Sequence, residues 1–215
     1  MPELNFQVEG AKATAFSVAP ALSFKLRVSS SNEQEQIRSI VLRCQIQIEA
    51  MWRAYTQEEQ AQLRDLFGDK GRWRQTLRGL LWTHAAITVP AFCGETLVEL
   101  PVPCTFDFNV AATKYFAGLF EGDVPLCLQF SGTVFYEENG SLQVTPIPWD
   151  REARFRLPVT MWKEMMEAYY PNTSWLCLRR DVFQKLYAYK MQHGLTSFEE
   201  ALESILTAAE EVTRP

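Results

Sequence analysis

Nowhere does the chain approach the roughly 18 consecutive apolar residues that carry a helix across a bilayer. Its ten glycines never assemble into GxGxxG or a Walker arrangement, which removes the two commonest backbone cradles for phosphate. With only two histidines, His84 and His193, serine or cysteine chemistry is short of a general base. The five cysteines, Cys44, Cys93, Cys104, Cys127 and Cys177, are odd in number and contain no CxxC pair. They read as small apolar residues of a reducing compartment. Basic residues are outnumbered 26 to 21, a net charge of -5 that argues against a protein dedicated to the phosphate backbone. The opening MPELNFQVEGAKA has neither the basic start nor the apolar run of a secretory signal. Together these absences predict a cytoplasmic protein with no membrane insertion, no nucleic-acid partner, and no metal or cofactor.

What the chain has is alternation. In PLCLQFSGTVFYEE the residues Leu126, Leu128, Phe130, Val134 and Tyr136 alternate with Gln129, Ser131, Thr133 and Glu137. Asn139-Gly140 then suits a type I′ turn, and Leu142 and Val144 resume the alternation, which predicts a β-hairpin with one wet face. Leu22 to Val28 reads as a half-buried strand after a short apolar start at Leu4, Phe6 and Val8. Beyond the polar stretch SSSNEQEQ, Ile40 to Glu49 alternates again and is expected to pair with its predecessor in a meander. Further strands are predicted at Ala85 to Pro90, Thr96 to Val102, Thr105 to Val110 and Ala153 to Leu157.

Helical grammar interrupts and then ends the chain. Thr56 with Glu59 forms a capping box ahead of Ala61, Leu63, Leu66 and Phe67, with Gly68 as a stop, and a shorter helical stretch is expected over Trp73 to Leu81. Ala111 to Leu119 fits two turns of helix or a strand edge. Past Trp149 the apolar period lengthens: Trp162, Met165, Met166 and Tyr169 share a face, Asp181 opens a second helix, and Thr196 with Glu199 caps a third. The expected fold is α+β, a mostly antiparallel, sandwich-like sheet with a helical insertion and a C-terminal helical layer. Residues 1–150 form the β domain, with the insertion near 57–81, and residues 151–215 form a helical region packed on it.

Candidate chemistry is sparse. Cys93 and Cys104 bound the segment CGETLVELPVPC and could meet across a hairpin, but zinc needs two more ligands that no spacing announces. Arg64, Lys70, Arg72, Arg74 and Arg78 surround Trp73, and arginine and tryptophan are enriched where proteins bind one another. The aromatics Trp149, Phe155, Trp162, Tyr169, Tyr170 and Trp175 crowd one region, as a core or as a binding groove. The partner-binding candidates are therefore Arg72, Trp73, Arg74, Arg78, Trp162, Tyr169 and Trp175. A competing reading, an enzyme or small-ligand site between the sheet and the C-terminal helices, would use Tyr115, Asp107 or His84.

The segments VLRCQIQIEAMWRAY, LRDLFGDKGRWRQTLRGLLW, ELPVPCTFDFNVAATKYFAGLFEGDVPLCLQFSGTVFY and IPWDREARFRLPVTMWKEMMEAYYP resemble an uncharacterised bacterial family of unknown function whose genes often lie near those of nickel-iron hydrogenases. That resemblance implies a non-enzymatic accessory or chaperone-like protein whose partner is a hydrogenase subunit or maturation factor. The plan of a sheet with late helices is also similar to that of SecB-type export chaperones, which bind peptides. The resemblance supplies no catalytic residue.

Overall fold

The computed structural model describes residues 2–32, 34–105, 110–174 and 176–213. Within them, two antiparallel sheets face each other across one apolar core. The first sheet holds β1 (Leu4–Ala13), β2 (Ala21–Ser30) and β6 (Glu95–Pro103), in the order β1-β2-β6. The second is built on β3 (Gln36–Ile48), which pairs along one edge with β4 (Leu80–Val89) and the short β5 (Phe92–Cys93), and along the other with β7 (Asp123–Glu138). β8 (Ser141–Pro146) and β9 (Glu152–Pro158) share the far edge of β7, one on each half.

The alternation explains the layering. Leu22, Phe24, Leu26 and Val28 of β2 are fully buried, as are Ile40, Leu42, Ile46 and Ile48 of β3. Phe6 and Phe130 stack across the gap with centroids 4.3 Å apart, and Phe155 meets the edge of the Phe24 ring at 5.8 Å. At Gly132 the chain adopts φ 142, and a Cβ built there would lie 2.0 Å from the Val41 carbonyl oxygen, so only glycine fits this close approach.

Helices interrupt and follow the strands. α1 (Gln57–Gln62) and α2 (Arg64–Phe67) follow β3, α3 (Trp73–Thr76) precedes β4, and α4 (Val110–Ala117) precedes β7. The Thr56–Glu59 capping box forms, and Gly68 ends α2 at φ 72. α5 (Val159–Tyr169) follows β9 without a break. The fold is thus α+β with sandwich-like sheets. Two compact units result, Met1–Thr173 and Ser174–Pro215, the second holding α6 (Arg180–Gln192) and α7 (Phe198–Thr213).

Several expectations are corrected. β2 and β3 do not form a meander: β2 pairs with β1 and β6, and the polar segment between them crosses to the other sheet. Both strands bury one face against the same core, so alternation alone cannot distinguish strands side by side from strands face to face. Only Trp73–Thr76 is helical in the stretch expected over 73–81, because Leu80 already pairs with Ile48. Leu142 and Val144 do not return to the core. A two-residue turn pairs Glu138 with Ser141, so Tyr136 lies opposite Gln143 and Val134 opposite Thr145, leaving Leu142 and Val144 exposed. Val110 opens a helix, and residues 106–109 of the strand expected over Thr105 to Val110 lie outside the described residues.

Candidate functional site

The insertion between β3 and β4 is tied down by a buried polar cluster. Glu59, 1% exposed, accepts hydrogen bonds from the backbone N–H of Thr56 at 3.1 Å and of Phe120 at 3.0 Å, and pairs with Arg53. Arg53 also donates to the carbonyls of Asp123 at 2.9 Å and Glu121 at 2.7 Å. Burial pushes the Glu59 carboxyl up, but the two backbone donors and Arg53 outweigh it and hold it below its ordinary value. Tyr55 donates to Ala50 O at 2.7 Å, so the Tyr115 hydroxyl, 2.7 Å away, donates to Tyr55. Burial pushes the Tyr115 phenol up to about 12. Tyr115 is fully enclosed and its hydroxyl engaged, so this cluster fastens structure rather than meeting a substrate.

The outer face of the second sheet is wet, with the exposed Arg43 beside a run of uncharged amides. His84 Nε2 lies 3.1 Å from Gln45 Oε1, while Gln45 and Gln47 both donate to Gln129 Oε1, at 3.2 and 3.3 Å. His84 is exposed within an amide ladder, with no carboxylate among these bonds to orient it as a base. At one end of this face, Glu49, Trp52, Pro125, Arg154 and Arg156 line an open groove of about 370 Å³. Among the described residues no group of three metal-ligating side chains exists, and no helix is long and apolar enough to cross a membrane.

The sequence-predicted residues fall into different places. Arg72, Arg74 and Arg78 are exposed on the insertion, with Arg78 Nε donating to Gln75 O at 3.0 Å. Trp73 turns inward, donating to Gly68 O at 3.0 Å and meeting Tyr55 and Phe67 edge to face. Trp162 is buried, stacked on Phe116 at 5.1 Å. Trp175 and Asp107 lie outside the described residues. Cys93 and Cys104 cannot meet, since β6 runs between them, about 30 Å of extended chain for its nine residues. Cys93 is exposed and Cys104 is buried, its thiol pushed up to about 12 by burial.

Tyr169 leads to a feature that the alternation did not announce. Its hydroxyl donates to the carbonyls of Ser17 at 3.0 Å and Thr14 at 3.3 Å, pinning the loop between β1 and β2. Thr14 N also bonds Ala21 O at 2.9 Å, and Cys104 N bonds Pro20 O at 2.8 Å. On this fastened loop Phe16 and Val18 both show a relative exposure of 105%. The surrounding run ATAFSVAPALS, from Ala13 to Ser23, carries no charge. A signal was therefore available in the sequence: bulky apolar residues in an uncharged loop between two strands.

The family model described as a family of unknown function (DUF6084) matches residues 1–214. No curated protein matches the chain. Among solved structures, the chain is similar to a β-glucosidase from Kluyveromyces marxianus, at 6% identity and a TM-score of 0.26, over 72% of this chain and 15% of that one. It is also similar to a putative late embryogenesis abundant protein, at 13% identity and a TM-score of 0.30, over 74% of this chain and 73% of that one. A third likeness is to the putative ApaA protein from Bordetella pertussis, at 12% identity and a TM-score of 0.23, over 73% and 93% of the two chains.

Proposed function

The chain belongs to the DUF6084 family, and we propose that it is a non-enzymatic, cytoplasmic accessory or chaperone-like protein that binds another protein through the loop carrying Phe16 and Val18. The observation that carries this reading is the full exposure of those two side chains on a backbone held by Tyr169. Burying each would gain about 1.5–3 kcal/mol, and a loop already ordered loses little entropy when it docks. Large apolar side chains held in this way suit the pocket of a partner. A protein partner fits better than an anionic bilayer, because the loop has no charge of its own and the chain is acidic at net -5. The resemblance of the four sequence segments to a family encoded near nickel-iron hydrogenases makes a hydrogenase subunit or maturation factor the proposed partner.

The test is capture from native cells by the tagged full chain and by a Phe16→Ser/Val18→Ser variant. Recovery of a hydrogenase subunit or maturation factor on the first and its loss on the second, with unchanged circular dichroism, is the expected result. Equal recovery on both would remove the loop from the interface. Recovery on neither would favour the small-ligand reading, for which the groove beside Trp52, Arg154 and Arg156 is the observation in support. Thermal shifts with small carboxylates and phosphates would then test that groove.

A further inference from the structure

The unit Ser174–Pro215 is about 40 residues long, below the size at which a helical pair can bury a sufficient core of its own. Its two helices are nonetheless ordered against each other. Phe198 packs on Phe183 at 5.3 Å and on Tyr187 at 6.4 Å, the Lys190 ammonium sits over the Phe198 ring, and Tyr189 and Ser204 share a hydrogen bond of 2.9 Å. Of the large apolar residues, Phe183, Tyr187 and Met191 recur every four positions on α6 and remain 44%, 50% and 61% exposed. On α7, Leu202, Ile205 and Leu206 are exposed as well, and among the described side chains only Ala201 is buried. Both helices thus carry apolar surface that their mutual contact leaves open.

Charge is segregated between them. α6 carries Arg180, Lys185 and Lys190 against Asp181 alone, whereas α7 carries Glu199, Glu200, Glu203, Glu210 and Glu211 with no basic residue. Among the described residues no ion pair joins α6 to α7: Asp181 is matched by Arg179 at 3.1 Å, and Glu200 is held by Thr196. The Glu200 carboxyl is held below its ordinary value by Thr196 first and in smaller part by Lys190 of α6, so the complementary charge left open on this surface is Arg180 and Lys185 on α6 against Glu199, Glu203, Glu210 and Glu211 on α7.

We infer that α6 and α7 form a self-association surface, in which the basic α6 of one copy packs on the acidic α7 of a second across a two-fold axis. One symmetry operation covers both open apolar faces and sets opposite charges together, and no different partner is needed to supply either half. The converse pairing of α7 on α7 would oppose ten glutamates and is disfavoured. The residues invoked here are not those of the loop at Phe16 and Val18, so the inference stands or falls independently of the proposed function.

Sedimentation of the full chain tests it. A species of twice the 24.7 kDa chain mass is expected, dissociating on dilution and in high salt. Tyr187→Glu/Leu206→Glu is expected to be monomeric with unchanged far-ultraviolet circular dichroism. A charge exchange then separates pairing from mere stickiness. Arg180→Glu/Lys185→Glu and Glu203→Lys/Glu210→Lys should each be monomeric alone and should form a mixed dimer when combined. A monomeric wild type up to its solubility limit would overturn the inference, as would a dimer that persists in the Tyr187/Leu206 variant. Failure of the two charge variants to associate on mixing would overturn the pairing of α6 on α7.

Discussion

Replacing Glu59 by Gln removes the negative half of an ion pair whose side chains are 8% (Arg53) and 1% (Glu59) exposed. The guanidinium of Arg53 stays behind, still bound to the carbonyls of Asp123 and Glu121 but without a counter-charge, and its Nε has no hydrogen-bond partner among the described residues. The amide that replaces the carboxylate must also face the N–H groups of Thr56 and Phe120, for which its own NH2 is the wrong partner. Breaking a buried pair from one side costs about 3–5 kcal/mol. At about 2–4 °C per kcal/mol for a chain of this size, the melting temperature should fall by roughly 6–20 °C. Lys12→Ala, which breaks an exposed pair with Glu99, should cost about 0–1 kcal/mol under the same conditions. Because the folded carboxyl titrates below its ordinary 4.5, the stabilisation by Glu59 is complete above that value and is lost as pH falls through the lowered one. The gap between wild type and Glu59→Gln should therefore narrow in acid. Thermal and urea melts followed by circular dichroism measure both effects. A loss below about 1 kcal/mol, or a gap that widens as pH falls, would refute the assignment of this pair as the fastening of the insertion.

Three further outcomes follow from the same geometry. Tyr169→Phe removes the donor to Ser17 and Thr14, so it should cost about 0.5–1.5 kcal/mol and speed amide hydrogen exchange within residues 14–18, measured by mass spectrometry; unchanged exchange would show that the loop is held otherwise. Trp162→Ala should cost about 3–5 kcal/mol in urea melts because it empties the stack on Phe116, whereas Trp149→Ala, at 93% exposure, should stay within about 0.5 kcal/mol. A disulfide reagent should titrate Cys93 and Cys177 quickly in the folded chain, while Cys44 and Cys104, pushed up to about 12, and Cys127, pushed up to about 11, react only on unfolding.

Local grammar was the most legible part of this chain. The Thr56 capping box, the stop at Gly68 and the turn at Asn139-Gly140, both of whose residues take positive φ, each depend on a few neighbouring residues and form as read. Long-range pairing was less legible, because β2 and β3 show the same alternation whether they lie side by side or face to face. The parity of β8 was available in principle: with Asn139-Gly140 as a two-residue turn, Val144 must lie opposite Phe135, on the outer face. Aromatic crowding past Trp149 pointed two ways, and the structure places Trp162 inside while it leaves Trp149 outside; Trp73, read among the arginines, is inside as well. Composition cannot separate these, since each tryptophan's environment is set by which strand or helix faces it. Phe16 and Val18 escaped periodic reading altogether, because a loop has no period to violate.

Hydrogen exchange of the full chain, alone and with its captured partner, tests the central claim most directly. Docking through Phe16 and Val18 predicts strong added protection over residues 14–19, with the outer face of β3, β4 and β7 unchanged. Unaltered exchange in that loop, with protection appearing instead around Trp52, Arg154 and Arg156 or on the arginine-bearing insertion, would contradict it.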